Sequence, residues 1–225
     1  MSAITLSDKL WLRNNQPGLF VVETAREDII KGVLKFRGKD DSSHIEIEDE
    51  YNLRLLVRDD GTPIAHETSG RLNAKLAENP ELSQADVHMY RGGRLCLAAP
   101  QQLTLNYLPN RNIEKLFRTY LVPYFFSQSY HEVLGEWPWP HLDHGAKGLV
   151  QWFLDNHDLK GAATETVKEL KRIADKKNEA AKLIERGSRF DSFIPNSQCL
   201  CGSRTKSIYC HPELMKLAFA IRYAN

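Results

Sequence analysis

Ile29-Ile30-Lys31-Gly32-Val33-Leu34-Lys35-Phe36-Arg37 and His44-Ile45-Glu46-Ile47-Glu48-Asp49-Glu50-Tyr51-Asn52-Leu53-Arg54-Leu55-Leu56-Val57 decide the fold class. Both runs read as strands. The second opens with apolar Ile45 and Ile47 between polar neighbours, the period of a half-buried strand. Gly38 to Ser43 supplies the turn between them. Asp59-Asp60-Gly61 closes the second run with hairpin chemistry. A shorter third strand follows from Thr62 to Thr68, with Pro63 near its start, where a strand accepts one. The reading is an antiparallel meander.

Helices flank it. Residues 7–13 predict a short helix capped by Ser7 or Asp8. Residues 70–84 are polar and helical around Leu72, Leu76 and Leu82. Residues 111–133 place Ile113, Leu116, Phe117, Tyr120 and Leu121 at helical spacing, and Pro123 bends or restarts that helix. Residues 135–148 (GEWPWPHLDHGAKG) hold too much Pro, Gly and Trp for regular structure. Residues 164–186 read as one long amphipathic helix with Val167, Leu170, Ile173, Ala174, Ala181 and Ile184 on one face, Thr164 as cap and Gly187 as stop. The fold class is therefore α+β, divided into a main domain (1–157), a helical connector (158–194) and a small terminal module (195–225).

The 225 residues carry 30 basic and 29 acidic side chains, a formal net charge of +1. No global field points to nucleic acid or to an anionic membrane, so no direct nucleic-acid partner is expected. No apolar run reaches the roughly 18 residues of a spanning helix. The N-terminal MSAITLSDKLWLRNN lacks the apolar core of a secretion signal, so a cytoplasmic protein without membrane attachment is expected. In that reducing compartment four cysteines are not disulfides.

Cys199, Cys201 and Cys210 lie close together, and His211 follows. Three thiolates and one imidazole are a complete tetrahedral set for a structural zinc ion. So short a segment has no hydrophobic core of its own, so the metal is expected to supply its folding energy. Cys199-Leu200-Cys201-Gly202-Ser203 followed by Cys210-His211 resembles the SEC-C zinc motif, named for its place at the C-terminus of the SecA translocase. Leu200 stands where that motif usually has proline, and Arg204 where it has glycine; neither change removes a ligand.

Cys96 stands apart, in Arg91-Gly92-Gly93-Arg94-Leu95-Cys96-Leu97. From these residues alone it is either a small buried hydrophobe or a thiol tuned by the arginines. The wider order (strand meander, proline-bearing third strand, His88, a glycine turn, Gly93-Arg94-Leu95-Cys96-Leu97, then helices) resembles a ubiquitin-conjugating enzyme over residues 30–155. It is most similar to the stand-alone bacterial members of anti-phage CBASS operons, which share the Gly135-Glu136-Trp137-Pro138 and His144-Gly145 turns. The resemblance implies a thioester mechanism. Cys96 would carry the C-terminal glycine of a protein partner, a cGAS-like nucleotidyltransferase or a ubiquitin-like protein, and transfer it to an acceptor. His88 stands where the family's His-Pro-Asn begins. His88-Met89-Tyr90 has no asparagine, so oxyanion stabilisation falls to backbone N–H groups or to a histidine, or the fold serves as an inactive adaptor.

His141-Leu142-Asp143-His144 is open to three readings: a metal pair, an acid/base group at His144, or a turn held by side-chain bonds. Trp137, Trp139, Trp152, Phe153, Tyr130 and Phe126 read as a core cluster or as a partner groove.

Overall fold

The computed structural model describes residues 4–24, 27–40, 44–140, 142–175, 178–189, 198–201, 203 and 205–223. Strands β1 (Leu19–Glu23), β2 (Asp28–Lys39), β3 (Glu46–Val57) and β4 (Pro63–Glu67) form an antiparallel sheet in the order β1-β2-β3-β4. In chain order the helices are α1 (Leu6–Asn15), α2 (Arg71–Glu78), α3 (Pro100–Gln102), α4 (Ile113–Leu116), α5 (Val122–Leu134), α6 (Gly145–Asp155), α7 (Ala162–Ile173), α8 (Glu179–Ser188), α9 (Ser207–Cys210) and α10 (Leu214–Tyr223). The α+β class holds, with one four-stranded antiparallel meander and several helices. Among the described residues no helix is long and apolar enough to cross a membrane.

The chain divides into two compact units, Met1–Ala98 with Asn106–Pro140, and Ala99–Leu105 with His141–Asn225. Residues 141–157 thus cluster with the C-terminal helices, whereas the sequence reading groups them with the main domain.

In the first unit, alternation sorts the sheet. Ile30, Leu34 and Phe36 of β2, Ile47, Tyr51, Leu53, Leu55 and Val57 of β3, and Ala65 of β4 are buried. Tyr51 stacks on Phe125 of α5 with ring centroids 4.4 Å apart. Each such side chain, fully buried, contributes roughly 1.5–3 kcal/mol. Strand β1 escapes the sequence reading because its signal is only Leu19-Phe20-Val21-Val22, a short run after Pro17-Gly18. The cap of α1 is Thr5; Asp8 is its reciprocal partner, accepting from the Thr5 N–H at 2.9 Å while Thr5 Oγ1 accepts from the Asp8 N–H. From α4 to α5 the chain stays helical through a wide π turn at Phe117–Leu121, and Pro123 sits in the first turn of α5. A widened turn tolerates a residue without an N–H.

The second unit revises four expectations. The run 164–186 is two helices. Asn178 separates them, its amide donating to the Ile173 carbonyl at 2.7 Å and accepting from the Ala181 N–H at 3.0 Å. It closes α7 and opens α8 with one side chain. The N-cap of α7 is Gly161 rather than Thr164. Gly187 lies inside α8 because α10 passes close by; a Cβ there would meet Ile221 Cδ1 at 2.6 Å. Finally, the tail has a hydrophobic core. Cys199, Leu200, Leu214, Leu217, Ala218 and Ile221 are buried with Trp152, Phe153 and Val167. The six aromatic residues are divided between the two units. Phe126 stacks on Trp139 at 5.8 Å and lies 5.9 Å from Tyr130 in the first unit, whereas Trp152 and Phe153 belong to the second.

Asp8 also ties helix to helix, because its other oxygen accepts the Ile113 N–H at the start of α4, 2.8 Å away. Asp8→Ala leaves that buried N–H and the Thr5 N–H without their acceptor, and is expected to cost about 2 kcal/mol. Urea unfolding followed through Trp11 fluorescence reads this; an unchanged midpoint contradicts it.

Candidate active site and candidate metal centre

Cys96 sits on the irregular segment between α2 and α3. The segment opens with a turn in which Asp86 Oδ2 accepts the Ser83 N–H (2.7 Å) and hydroxyl (2.6 Å). Val87 is fully buried, and its carbonyl accepts two hydrogen bonds, from Tyr124 Oη at 2.8 Å and Gln128 Nε2 at 3.2 Å. Both donors come from α5, one turn apart, so they share a face. The Gln128 amide orientation is unambiguous: its oxygen faces the Lys75 ammonium (3.2 Å), which only donates, and its nitrogen faces a carbonyl, which only accepts. Lys75 also donates to the Gln128 carbonyl (3.0 Å) and lies 4.9 Å from the centre of the Trp137 ring. Burial pushes its pKa down to about 8.

His88 follows in the left-handed region, at φ 49°. A residue with a Cβ is uncommon there, though histidine tolerates it better than most. The consequence is that the His88 carbonyl accepts the Cys96 N–H at 2.7 Å. The Tyr90–Gly93 turn needs positive φ at its third position, and Gly92 supplies it at 88°. It returns the chain so that Tyr90 N–H reaches Arg94 O (2.8 Å) and Leu95 N–H reaches Ala65 O of β4 (2.8 Å). Cys96 is thereby fastened to the sheet and to the Val87–His88 turn.

The Cys96 sulfur is half-buried. Its thiol donates to Tyr90 Oη at 3.3 Å, and Ala98 O lies 3.8 Å away. The Arg94 guanidinium covers the Tyr90 ring at 4.2 Å. Burial pushes the Cys96 thiol up; the Tyr90 phenol, which turns donor toward a thiolate, and the Arg94 charge oppose it without cancelling it. The Cys96 N–H is committed to the His88 carbonyl and so is not available as an oxyanion donor. Among the described residues, the N–H groups of Leu97 and Ala98 have no hydrogen-bond partner.

Of the candidate histidines, His88 acts through its backbone. His144 belongs to the second unit, exposed at the N-cap of α6. The turn beside it is held by side chains: Asp143 N–H donates to Gln151 Oε1 (2.7 Å), Gln151 Nε2 to Asp143 Oδ2 (2.8 Å), and Lys147 pairs with Asp143. His141 lies outside the described residues. The sequence reading missed His66 of β4, which bridges to Arg94 across the pleat and hydrogen-bonds the Gly93 backbone. Burial, Arg54 and Arg94 lower its pKa. Its only signal was an outward position on β4, two residues after Ile64.

The second constellation is Cys199, Cys201, Cys210 and His211, whose ligand atoms all lie within 4.8 Å of one another. A two-stranded bridge, Gln198 to Lys206, closes the loop, and the single turn α9 presents Cys210 and His211 together. Cys201 and Cys210 sulfurs are 3.6 Å apart, Cys199 Sγ and His211 Nδ1 3.6 Å, Cys210 Sγ and His211 Nδ1 3.2 Å. The Ser203 N–H points at Cys201 Sγ (3.5 Å) and its hydroxyl at Cys210 Sγ (3.2 Å). The cluster can bind a metal ion, and Ser203 holds two of its sulfurs in place.

No protein-family model, curated protein or solved structure matches this chain.

Iodoacetamide alkylation of Cys96, followed against pH by peptide mass spectrometry, is expected to have its midpoint above the ordinary thiol value of about 8.5. Tyr90→Phe removes the donor to the thiolate and is expected to move that midpoint higher. A wild-type midpoint at or below the ordinary value contradicts the burial argument.

Proposed function

We propose that this chain is a ubiquitin-conjugating-like acyl carrier, with Cys96 as nucleophile and a structural zinc ion in the C-terminal cluster. The observation that carries the reading is the setting of Cys96. A lone thiol stands on a long irregular segment, yet its backbone is fixed to β4 through Leu95 and to the Val87–His88 turn through its own N–H. Loops held this firmly on a sheet are where reactive side chains are commonly presented. The meander β1-β2-β3-β4 with α1 before it and helices after it suits the conjugating fold.

In this reading the Cys96 thiol loses its proton to solvent as Tyr90 switches from acceptor to donor. The thiolate attacks the activated C-terminal glycine of a protein partner and expels its leaving group, leaving a thioester. The Leu97 and Ala98 amides supply the oxyanion donors in place of the family's asparagine. The partner is a cGAS-like nucleotidyltransferase or a ubiquitin-like protein, the acceptor an amine, and the setting cytoplasmic anti-phage defence. One observation favours a second reading, an inactive adaptor of the same fold: burial holds the Cys96 thiol in its neutral form.

Co-expression with the genomic neighbours and intact mass spectrometry separate the two. The carrier predicts an adduct on wild type that dithiothreitol removes and that Cys96→Ala lacks. An adaptor shows no adduct, and an adduct that survives Cys96→Ala also rejects the carrier.

Zinc suits the tail by size and donor type. With Zn–S near 2.3 Å, tetrahedral sulfurs lie about 3.8 Å apart, and Cys201 and Cys210 are 3.6 Å apart. About one zinc per chain is expected by elemental analysis. Cys201→Ser is expected to lower that content, and a chelator to lower the melting temperature of wild type. Retention of full metal content in Cys201→Ser overturns the assignment.

A further inference from the structure

Pairing register lines up a row of basic side chains across the outer face of the sheet, three cations with a histidine among them whose charged form burial, Arg54 and Arg94 disfavour. Lys31 of β2 is opposite Arg54 of β3, Arg54 is opposite His66 of β4, and His66 bridges to Arg94 of the Cys96 segment. Residues directly opposite in an antiparallel sheet point to the same face. Lys31 and Arg94 are exposed, Arg54 and His66 half-buried. Among the described residues, none of Lys31, Arg54 and Arg94 has a carboxylate ion-pair partner. Lys31 lies instead against the Phe20 ring, 5.4 Å from its centre.

The rest of this face is arranged differently. Lys35 pairs with Glu50 across β2 and β3 at 3.1 Å, and Arg37 pairs with Glu46. On the other side of the cationic row lies an aliphatic one: Val22, Ile29, Leu56 and Ile64, in register across all four strands and half-buried. Like charges placed opposite one another destabilise a sheet. Lys35 and Arg37 are ion-paired further along the face, so this uncompensated row, which ends two residues from Cys96, is the arrangement an anionic partner would relieve.

We propose that the Lys31–Arg54–His66–Arg94 row and the aliphatic row beside it dock a protein segment rich in acidic and aliphatic side chains, leading its end toward Cys96. The aliphatic row favours protein over nucleic acid, whose backbone offers nothing to Val22, Ile29, Leu56 and Ile64; Phe20, opposite Lys31, is in register with the cationic row and already lies under the Lys31 ammonium. The docking itself does not depend on acyl transfer; only the direction in which the segment ends rests on the Cys96 reading.

The test is fluorescence anisotropy of the full chain with a fluorescein-labelled peptide of alternating glutamate and leucine, and with a single-stranded oligonucleotide of equal charge. The wild type is expected to bind the peptide more tightly than the oligonucleotide, with an affinity that falls as salt rises. Lys31→Glu with Arg54→Glu is expected to weaken peptide binding by about tenfold or more. Lys35→Glu, in the ion-paired row, is expected to stay within about twofold. Circular dichroism confirms that each variant is folded. No peptide binding by wild type, equal binding by the Lys31→Glu/Arg54→Glu variant, or preference for the oligonucleotide overturns the proposal. Cys96→Ala is expected to bind as wild type does. Peptide binding without any thioester adduct would therefore reject the carrier reading and leave this surface standing.

Discussion

The carbonyl oxygen of Val87 is the constraint around which the first unit's Cys96-bearing segment is organised. It belongs to irregular backbone, yet it is buried, and a buried carbonyl without a partner is costly. Tyr124 and Gln128 satisfy it from one face of α5. Lys75 in turn fixes Gln128 from α2. Once the carbonyl is held on both lone pairs, the next residue has little freedom, and His88 adopts a backbone conformation it would not choose alone. That conformation turns the His88 carbonyl toward Cys96. A polar network in the core thus sets the backbone at a thiol near the surface, through a series of bonds in which each member limits the next.

Two influences compete at the sulfur. Desolvation favours the neutral thiol, while Tyr90 and Arg94 favour the thiolate, and desolvation is the stronger. A high-pKa thiolate is a better intrinsic nucleophile than a low-pKa one, at the expense of its population. In the proposed carrier such a group would ionise as a partner arrives rather than react with any electrophile in solution. It also explains why two arginines in the segment do not make an activated cysteine: only Arg94 acts on it, and it is held over the Tyr90 ring.

Much of the sheet was legible because alternation is a local signal. Ile47, Tyr51, Leu53 and Leu55 all point inward on β3, as the pattern in 44–57 requires. β1 was not legible, since five residues beside a turn leave too short a period to detect. The 164–186 run misled because Asn178 is not a helix breaker by composition; its effect depends on reaching Ile173 and Ala181 at once. Gly187 misled for the opposite reason, since a glycine at a helix end signals a stop unless another helix needs its missing side chain. The four ligands of the tail were legible from spacing, and the structure brings them together. Cys96 was legible as solitary. Gln128, Tyr124 and His66 were not, because their roles exist only through pairings distant in sequence.

The bridge from Leu95 to Ala65 has another effect. β4 is the last strand of its sheet, and an open strand edge presents unpaired amides and carbonyls to any neighbouring chain. The segment that presents Cys96 occupies part of that edge, through the Leu95–Ala65 bond and the His66–Arg94 bridge. The placement of Cys96 and the covering of a sheet edge are therefore joined in the same few residues. Any rearrangement that swings the thiol away from the sheet also uncovers a template for strand addition, so selection for a protein that stays dispersed at high concentration would by itself restrain how far this segment can move.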